Sequence, residues 1–136
     1  MAIRNILPVV LAAYAAASLF HHVHNAEFLH EYPNMPAWIS RSVAYGAWLA
    51  ATAIGITGYV LLRRGYRFVG LALLILYGCY GLDSLAHYAL APVSAHTPSM
   101  NFSIWLEAAM AAGLLITVVK QLLVERMQPQ RQPPSP

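Results

Sequence analysis

The chain has 136 residues, of which 59% are hydrophobic and only 10% charged, and its mean hydropathy is +0.54. This composition excludes an ordinary soluble domain and favours a small membrane protein with room for one domain. The net charge of +3 does not indicate a nucleic-acid partner. The basic residues stand at the ends of apolar segments rather than on one polar face.

Four apolar stretches predict an all-α bundle of four transmembrane helices. Each approaches the roughly 20 residues that a spanning helix needs. They cover approximately residues 6–25, 42–62, 68–91 and 102–123. The helices are expected to pair as two antiparallel hairpins. The predicted transmembrane domain covers residues 1–127. The Pro- and Gln-rich segment 128–136 is expected to be a disordered tail.

The basic residues predict how this bundle is oriented. With four crossings, every basic residue except Arg41 falls on one side: Arg4, Arg63, Arg64, Arg67, Lys120, Arg126 and Arg131. The positive-inside rule then places both termini in the cytoplasm and the opposite end on the extracytoplasmic side of a bacterial inner membrane. One alternative stays open, because residues 1–17 also have the basic start, apolar middle and small-residue ending of a cleaved signal peptide.

The end of the first helix contains four of the six histidines, within residues 21–31. His21, His24 and Glu27 are spaced by three residues, which predicts that they lie roughly along one helix face. This spacing suits metal ligands or a proton-transfer group. The remaining histidines, His22, His30 and His96, are expected to be solvated residues of the loops or the interface, with the alternative that His96 completes a site from above.

Two later helices bring ionisable groups to the same level. Asp83 and His87 are four residues apart and are therefore predicted to share a face of the third helix. Counted at 1.5 Å per residue from the cytoplasmic ends, these two residues, the histidines of the first helix and Glu107 of the fourth helix fall in one outer layer. We therefore expect them to surround one site.

The cost of charge in the membrane sharpens this expectation. A charged side chain in the hydrocarbon costs on the order of 2.5 to 3.5 kcal/mol, so Glu27, Asp83 and Glu107 need partners. Arg41 is the one basic residue nearby in the predicted topology, so either some of these acids are protonated or a cation is bound. Histidine with carboxylate suits iron, copper or zinc, and helix bundles hold such metals between facing helices.

Two short motifs resemble known families. His24-Asn25-Ala26-Glu27-Phe28, which ends the first membrane helix, resembles the opening motif of the HXXEE family of small bacterial membrane proteins, whose function is unassigned, with Phe28 in place of the second glutamate. Asp83-Ser84-Leu85-Ala86-His87, followed by His96, resembles the copper-binding motif in the membrane C subunit of particulate methane and ammonia monooxygenases. The second resemblance implies a metal.

The sequence thus predicts an integral membrane enzyme that acts on a hydrophobic substrate through a divalent transition metal. The predicted metal ligands are His21, His24, Glu27, Asp83 and His87. The predicted catalytic residues are His24, Glu27, Asp83, His87 and Glu107.

Two other functions stay open. In one, His24 and Asp83 shuttle a proton during a metal-free isomerisation or cyclisation. In the other, the chain is a non-enzymatic subunit or transport component that binds metal, or haem between His24 and His87. The expected partners are the lipid bilayer and a hydrophobic small molecule. The sequence predicts no nucleic-acid partner and leaves a homo-oligomer or a membrane complex open.

Overall fold

The computed structural model describes residues 2–127, with side chains from residue 6 to residue 124. These residues fold into three long helices and one that is broken, which we number α1 (Ala2–Glu27), α2 (Arg41–Arg63), α3 (Arg67–Leu82), α4 (His87–Leu90) and α5 (Pro98–Met127). The prediction of an all-α four-helix bundle is confirmed. The tail predicted for 128–136 lies outside the described residues.

Within the described part of the chain, four helical segments are long and apolar enough to cross a membrane, as expected for an integral membrane protein. They are Ile6–Glu27, Arg41–Arg63, Arg67–Leu90 and Pro98–Val124. The third segment joins α3, a turn of 3-10 helix and α4 into one crossing. All four overlap the stretches expected from the sequence.

The helices form a closed ring of neighbours around a small core. The most extensive contacts join α1 to α5, α5 to α3, α3 to α2, and α2 to α1. The core side chains come mainly from α1, α3 and α5: Leu7, Tyr14, Leu71, Leu74, Tyr77, Ala111, Leu114 and Val118. Across the centre of the ring, the Tyr14 hydroxyl donates a 3.0 Å hydrogen bond to the backbone oxygen of Tyr77. This core is apolar and lies below the histidine level.

Small residues let α2 and α3 approach closely, as is common between membrane helices. A Cβ atom built on Gly70 would lie 2.6 Å from the backbone nitrogen of Leu62. One on Gly58 would lie 3.0 Å from the backbone oxygen of Gly70. The two backbones therefore touch, and this contact fixes the spacing of the α2–α3 hairpin.

The hairpin turn itself is a Schellman motif. Gly65 has a φ of 92°, a conformation that only glycine adopts readily. Its amide donates to the backbone oxygen of Leu62 at 3.2 Å, and the amide of Tyr66 donates to that of Leu61 at 3.0 Å. The last carbonyls of α2 are thereby satisfied in a turn only a few residues long.

The third crossing is interrupted at the level of the histidines. Asp83–Ala86 forms a turn of 3-10 helix between α3 and α4. A 3-10 helix advances about 120° per residue, so His87 lies about 120° around the axis from Asp83 instead of nearly above it. The expectation that these two residues share one face is therefore wrong. Asp83 is exposed and His87 is buried.

The loops at this end are tied down by asparagines. Asn34, in the α1–α2 loop, has a φ of 56° and donates a 2.8 Å hydrogen bond to the backbone oxygen of Leu90 at the end of α4. Asn101 donates to the backbone oxygens of Val93 and His96 in the α4–α5 loop. Both loops are thus held over the ends of the helices that carry the polar residues.

Candidate functional site

A cavity of about 270 Å³ lies at the end of the bundle where α1 ends and α5 begins, which we call the histidine end. Its polar lining comes from α1, the third crossing and α5, in the side chains of His21, His22, Asn25, Tyr80, Asp83, Ser84, His87 and Glu107. Its apolar lining comes mainly from α2 and the loop before it. The cavity brings together His21, Asp83, His87 and Glu107 of the residues predicted from the sequence.

The polar side of the cavity begins with one stripe of α1. Tyr14, Ser18, His21 and Asn25 recur at intervals of three or four residues and so follow one face of the helix. Tyr14, Ser18 and His21 are fully or almost fully buried, and Asn25 is half-buried. This stripe, rather than the series His21, His24 and Glu27, is the inward face.

The most deeply buried ionisable contact joins His21 to Glu107. Nε2 of His21 lies 3.8 Å from Oε2 of Glu107, whose side chain is only 1% exposed. Among residues 2–127, neither oxygen of Glu107 has a partner within normal hydrogen-bond distance. The Ser18 hydroxyl interacts with Glu107 but also lies beyond that distance. A buried carboxyl group is thus left facing an imidazole.

Ser103 determines which nitrogen of His21 carries a proton. The Ser103 hydroxyl donates to the backbone oxygen of Met100 at 2.9 Å, so its oxygen is free to accept. Nδ1 of His21 lies 3.1 Å from that oxygen and is therefore the N–H donor. In the neutral ring, Nε2 then carries the lone pair. This nitrogen is the one that faces Glu107.

His22 is buried beside the same carboxyl group, so the expectation that it is solvated is wrong. Adjacent residues of a helix point about 100° apart. Because α1 has neighbouring helices on more than one side, His21 and His22 can both be buried. Nδ1 of His22 donates to the backbone oxygen of Ser18 at 2.9 Å and lies 3.9 Å from Oε1 of Glu107. Its Nε2 lies 3.3 Å from the Tyr80 hydroxyl, which donates to it.

His87 and His96 continue the cluster toward the end of the bundle. The His87 ring lies 5.3 Å from the His21 ring and 6.2 Å from the His96 ring, centre to centre. The Asn25 amide is 3.2 Å from Nε2 of His87. His96 is also buried, contrary to expectation, because the α4–α5 loop folds over the helix ends and Nδ1 of His96 donates to the backbone oxygen of Pro92 at 3.0 Å.

Two predicted residues of α1 point elsewhere. Glu27 is exposed and pairs with Arg41, while the Tyr45 hydroxyl donates to it at 2.7 Å. His24 shares a 2.9 Å hydrogen bond with the Tyr32 hydroxyl. The reason is helical geometry, because each three-residue step turns back by about 60° and Glu27 lies about 120° from His21.

Tyr32 belongs to the loop after α1 and lies between His24 and His87. Its ring is 5.9 Å from the His24 ring and 4.9 Å from the His87 ring. Burial raises the pKa of Tyr32 to about 12, so its hydroxyl stays protonated at neutral pH. Because the Tyr32 ring lies between them, His24 and His87, the two histidines considered for haem, do not face each other directly.

Several residues of this site were not predicted from the sequence. Ser18, Asn25, Tyr80 and Ser103 position or line the buried groups. The signal that would have found two of them is the polar stripe of α1. Ser103 carries a similar signal, because it precedes Glu107 by four residues on α5 and so lies on the same helix face.

The predicted metal ligands do not form a preformed metal site. Within residues 2–127, no three histidine, cysteine, aspartate or glutamate side chains are grouped so that they could hold a metal ion. Comparison of the chain with protein-family models, with curated proteins and with solved structures found no match. The two motif resemblances and the metal therefore stay predictions.

Proposed function

We propose that this protein is an integral membrane enzyme that catalyses an isomerisation or cyclisation of a hydrophobic substrate by acid–base proton transfer. The observation that carries the proposal is the buried pair of His21 and Glu107 at the floor of a cavity with apolar walls. Ionisable residues inside a membrane are costly and are usually retained for function.

The pair is suited to hold one mobile proton. Nε2 of His21 carries a lone pair, and a carboxylate beside it would repel that lone pair. One added proton relieves this repulsion, either on Glu107 or on His21. A substrate in the cavity meets a group that accepts a proton in one state and donates it in the other, as general acid–base catalysis requires.

The proposed reaction is balanced without a co-reactant. A proton leaves a carbon of the substrate and is taken up by the His21–Glu107 pair, and the electron pair of the broken C–H bond moves into the substrate. A proton is then returned from the pair to a different carbon. The product has the composition of the substrate, and the pair returns to its first state.

The metal-dependent version of the enzyme and a non-enzymatic metal-binding role are alternatives to this proposal. Both require the predicted ligands to regroup around an ion, whereas proton transfer uses His21 and Glu107 where they lie. Elemental analysis of detergent-purified protein separates them. Stoichiometric iron, copper or zinc that is lost on replacing His87 would favour a metal site, and a Soret band in the same sample would indicate haem.

Exchange of substrate hydrogen with heavy water tests the proposal directly. Purified protein in lipid nanodiscs is incubated in heavy water with a lipid extract of its natural membranes, and the lipids are analysed by mass spectrometry. We expect one class of lipid-soluble molecule to gain deuterium. E107Q and H21Q should abolish this gain.

A matched pair of residues provides the control. His30 and Glu31 also lie 3.8 Å apart at the histidine end, but their side chains are 80% and 44% exposed. H30Q and E31Q should leave the exchange unchanged. The proposal fails if no molecule gains deuterium or if E107Q exchanges as fast as the wild type.

A further inference from the structure

The floor of the cavity contains hydrogen-bond acceptors that are buried without a partner. Both oxygens of Glu107 and Oδ1 of Asn25 are buried without a partner within normal distance among the described residues. Nε2 of His21 adds a lone pair, because its other nitrogen donates to Ser103. Acceptors in a buried site are satisfied by a ligand that donates.

The charges around the cavity also favour a cationic ligand over an anionic one. Its lining includes the carboxyl groups of Asp83 and Glu107, and no lysine or arginine is among the described lining residues. Arg41 lies near the histidine end but is paired with Glu27. A phosphate or carboxylate head group would therefore meet like charge without a cation, which costs binding energy.

The rest of the lining is suited to a hydrocarbon tail. Met35, Ile39, Val43 and Ala47 line the cavity from the α1–α2 loop and from α2, and Trp38 stands exposed at its edge. The volume of about 270 Å³ is at or below the lower limit for drug-sized ligands. The cavity therefore accommodates a head group and part of a tail, with the remainder against the apolar rim.

We propose that the ligand of this cavity is a long-chain primary amine, bound as the ammonium ion. An ammonium group has three N–H donors and no acceptor, so it complements the two oxygens of an ionised Glu107 and Oδ1 of Asn25, and its positive charge takes the place of the added proton of the His21–Glu107 pair. This inference names the substrate class of the same cavity and in that sense rests on the proposed function. Amine binding is measured without turnover, so the proposed ligand and the proposed function can fail independently of each other.

A series of ligands with one tail and different head groups tests the proposal on the wild-type protein. Tritiated dodecylamine is bound to protein in detergent and displaced by unlabelled dodecylamine, dodecyltrimethylammonium, dodecanol or dodecanoate. Dodecylamine should displace the label at least about ten-fold better than the others, because the trimethyl head keeps the charge but lacks N–H donors. Equal displacement by dodecanoate or dodecanol, or no saturable binding, overturns the proposal. Equal displacement by the trimethyl compound overturns the donor argument.

Substitutions locate the binding. E107Q should weaken dodecylamine binding roughly ten-fold or more, since a charged hydrogen bond is replaced by a neutral one. E31Q is the matched control at an exposed carboxylate and should bind as the wild type does. Unchanged binding in E107Q contradicts the proposed site. Deuterium exchange without amine binding leaves the proposed function standing, and amine binding without exchange refutes that function alone.

Discussion

The Ser103 hydroxyl, on α5, accepts a hydrogen bond from Nδ1 of His21, on α1, across 3.1 Å. Because that hydroxyl donates its own proton to Met100, the contact selects one tautomer of the imidazole. The lone pair of His21 is thereby directed at Glu107. A serine without an ionisable group thus sets the chemical state of the buried pair.

Removal of this acceptor should change the tautomer of His21. In S103A the Nδ1–H group has no acceptor in the same place, so we expect the proton to move to Nε2 and to face Glu107. Nitrogen NMR of histidine-labelled protein measures the two tautomers. Loss of one buried hydrogen bond should also cost about 1–3 kcal/mol of stability. S99A, at an exposed position of the same helix, is the control, and an unchanged His21 tautomer in S103A contradicts the assignment.

Gly70 should not tolerate a methyl group. G70A places Cβ against the backbone of Leu62, which cannot rotate away, so α2 and α3 must separate. We expect a loss of about 1–3 kcal/mol in the free energy of unfolding, measured in detergent. G46A has open space around the new methyl group and should be neutral or slightly stabilising. Equal stability of the two variants would refute the close contact.

The Tyr14 hydroxyl should contribute modestly to the core. Y14F removes its hydrogen bond to the backbone oxygen of Tyr77 but keeps the ring, so a loss of about 0.5–1.5 kcal/mol is expected. Y14A removes the ring as well and should cost about 3–5 kcal/mol. Y66F changes an exposed tyrosine and serves as the control. If Y14F and Y14A unfold alike, the hydroxyl rather than the ring dominates.

The ion pair of Glu27 and Arg41 should contribute little to stability and nothing to proton transfer. Both side chains are exposed, and water and salt screen such pairs. We expect E27Q to change thermal stability only slightly, to show a weaker salt dependence than the wild type, and to retain full deuterium exchange. A loss of exchange in E27Q comparable to that in E107Q would place Glu27 in the catalytic machinery.

Tyr32 should add a component to alkaline unfolding. Its pKa of about 12 exceeds the ordinary value of 10, so the folded state favours the neutral phenol more than the unfolded state does. That contribution to stability is complete below about pH 10 and is lost as the pH rises through about 12. Stability measured against pH should therefore fall less steeply in Y32F over this range. Identical curves would show that Tyr32 is not buried.

The fold could be predicted from the sequence because the hydrocarbon core of a membrane permits few backbone structures. Long apolar stretches must be helical to satisfy their backbone groups, and the turn at Gly65 carries its own signal in the glycine. The break at Asp83–Ala86 has no comparable signal, since Asp83 and Ser84 are weak helix formers that also occur inside unbroken helices. The rotation between Asp83 and His87 therefore could not be derived from their spacing.

The site could be predicted only in part, because the sequence gives the level of a residue along its helix but not the direction in which its side chain points. The level of each residue follows from the rise per residue, and His21, His87 and Glu107 do meet at one level. Which way a side chain faces depends on the neighbours of its helix, and α1 has neighbours on several sides. That is why His22 turned out to be buried, whereas Glu27 faces outward.

The hydrogen bond between Tyr14 and Tyr77 marks a division of the molecule into two parts. Below it, apolar side chains and touching backbones hold the helices together without any group of the cavity. Above it, hydrogen bonds between histidines, serines, an asparagine and a tyrosine join the helices. Replacement of the polar groups above this bond therefore leaves the apolar contacts below it in place.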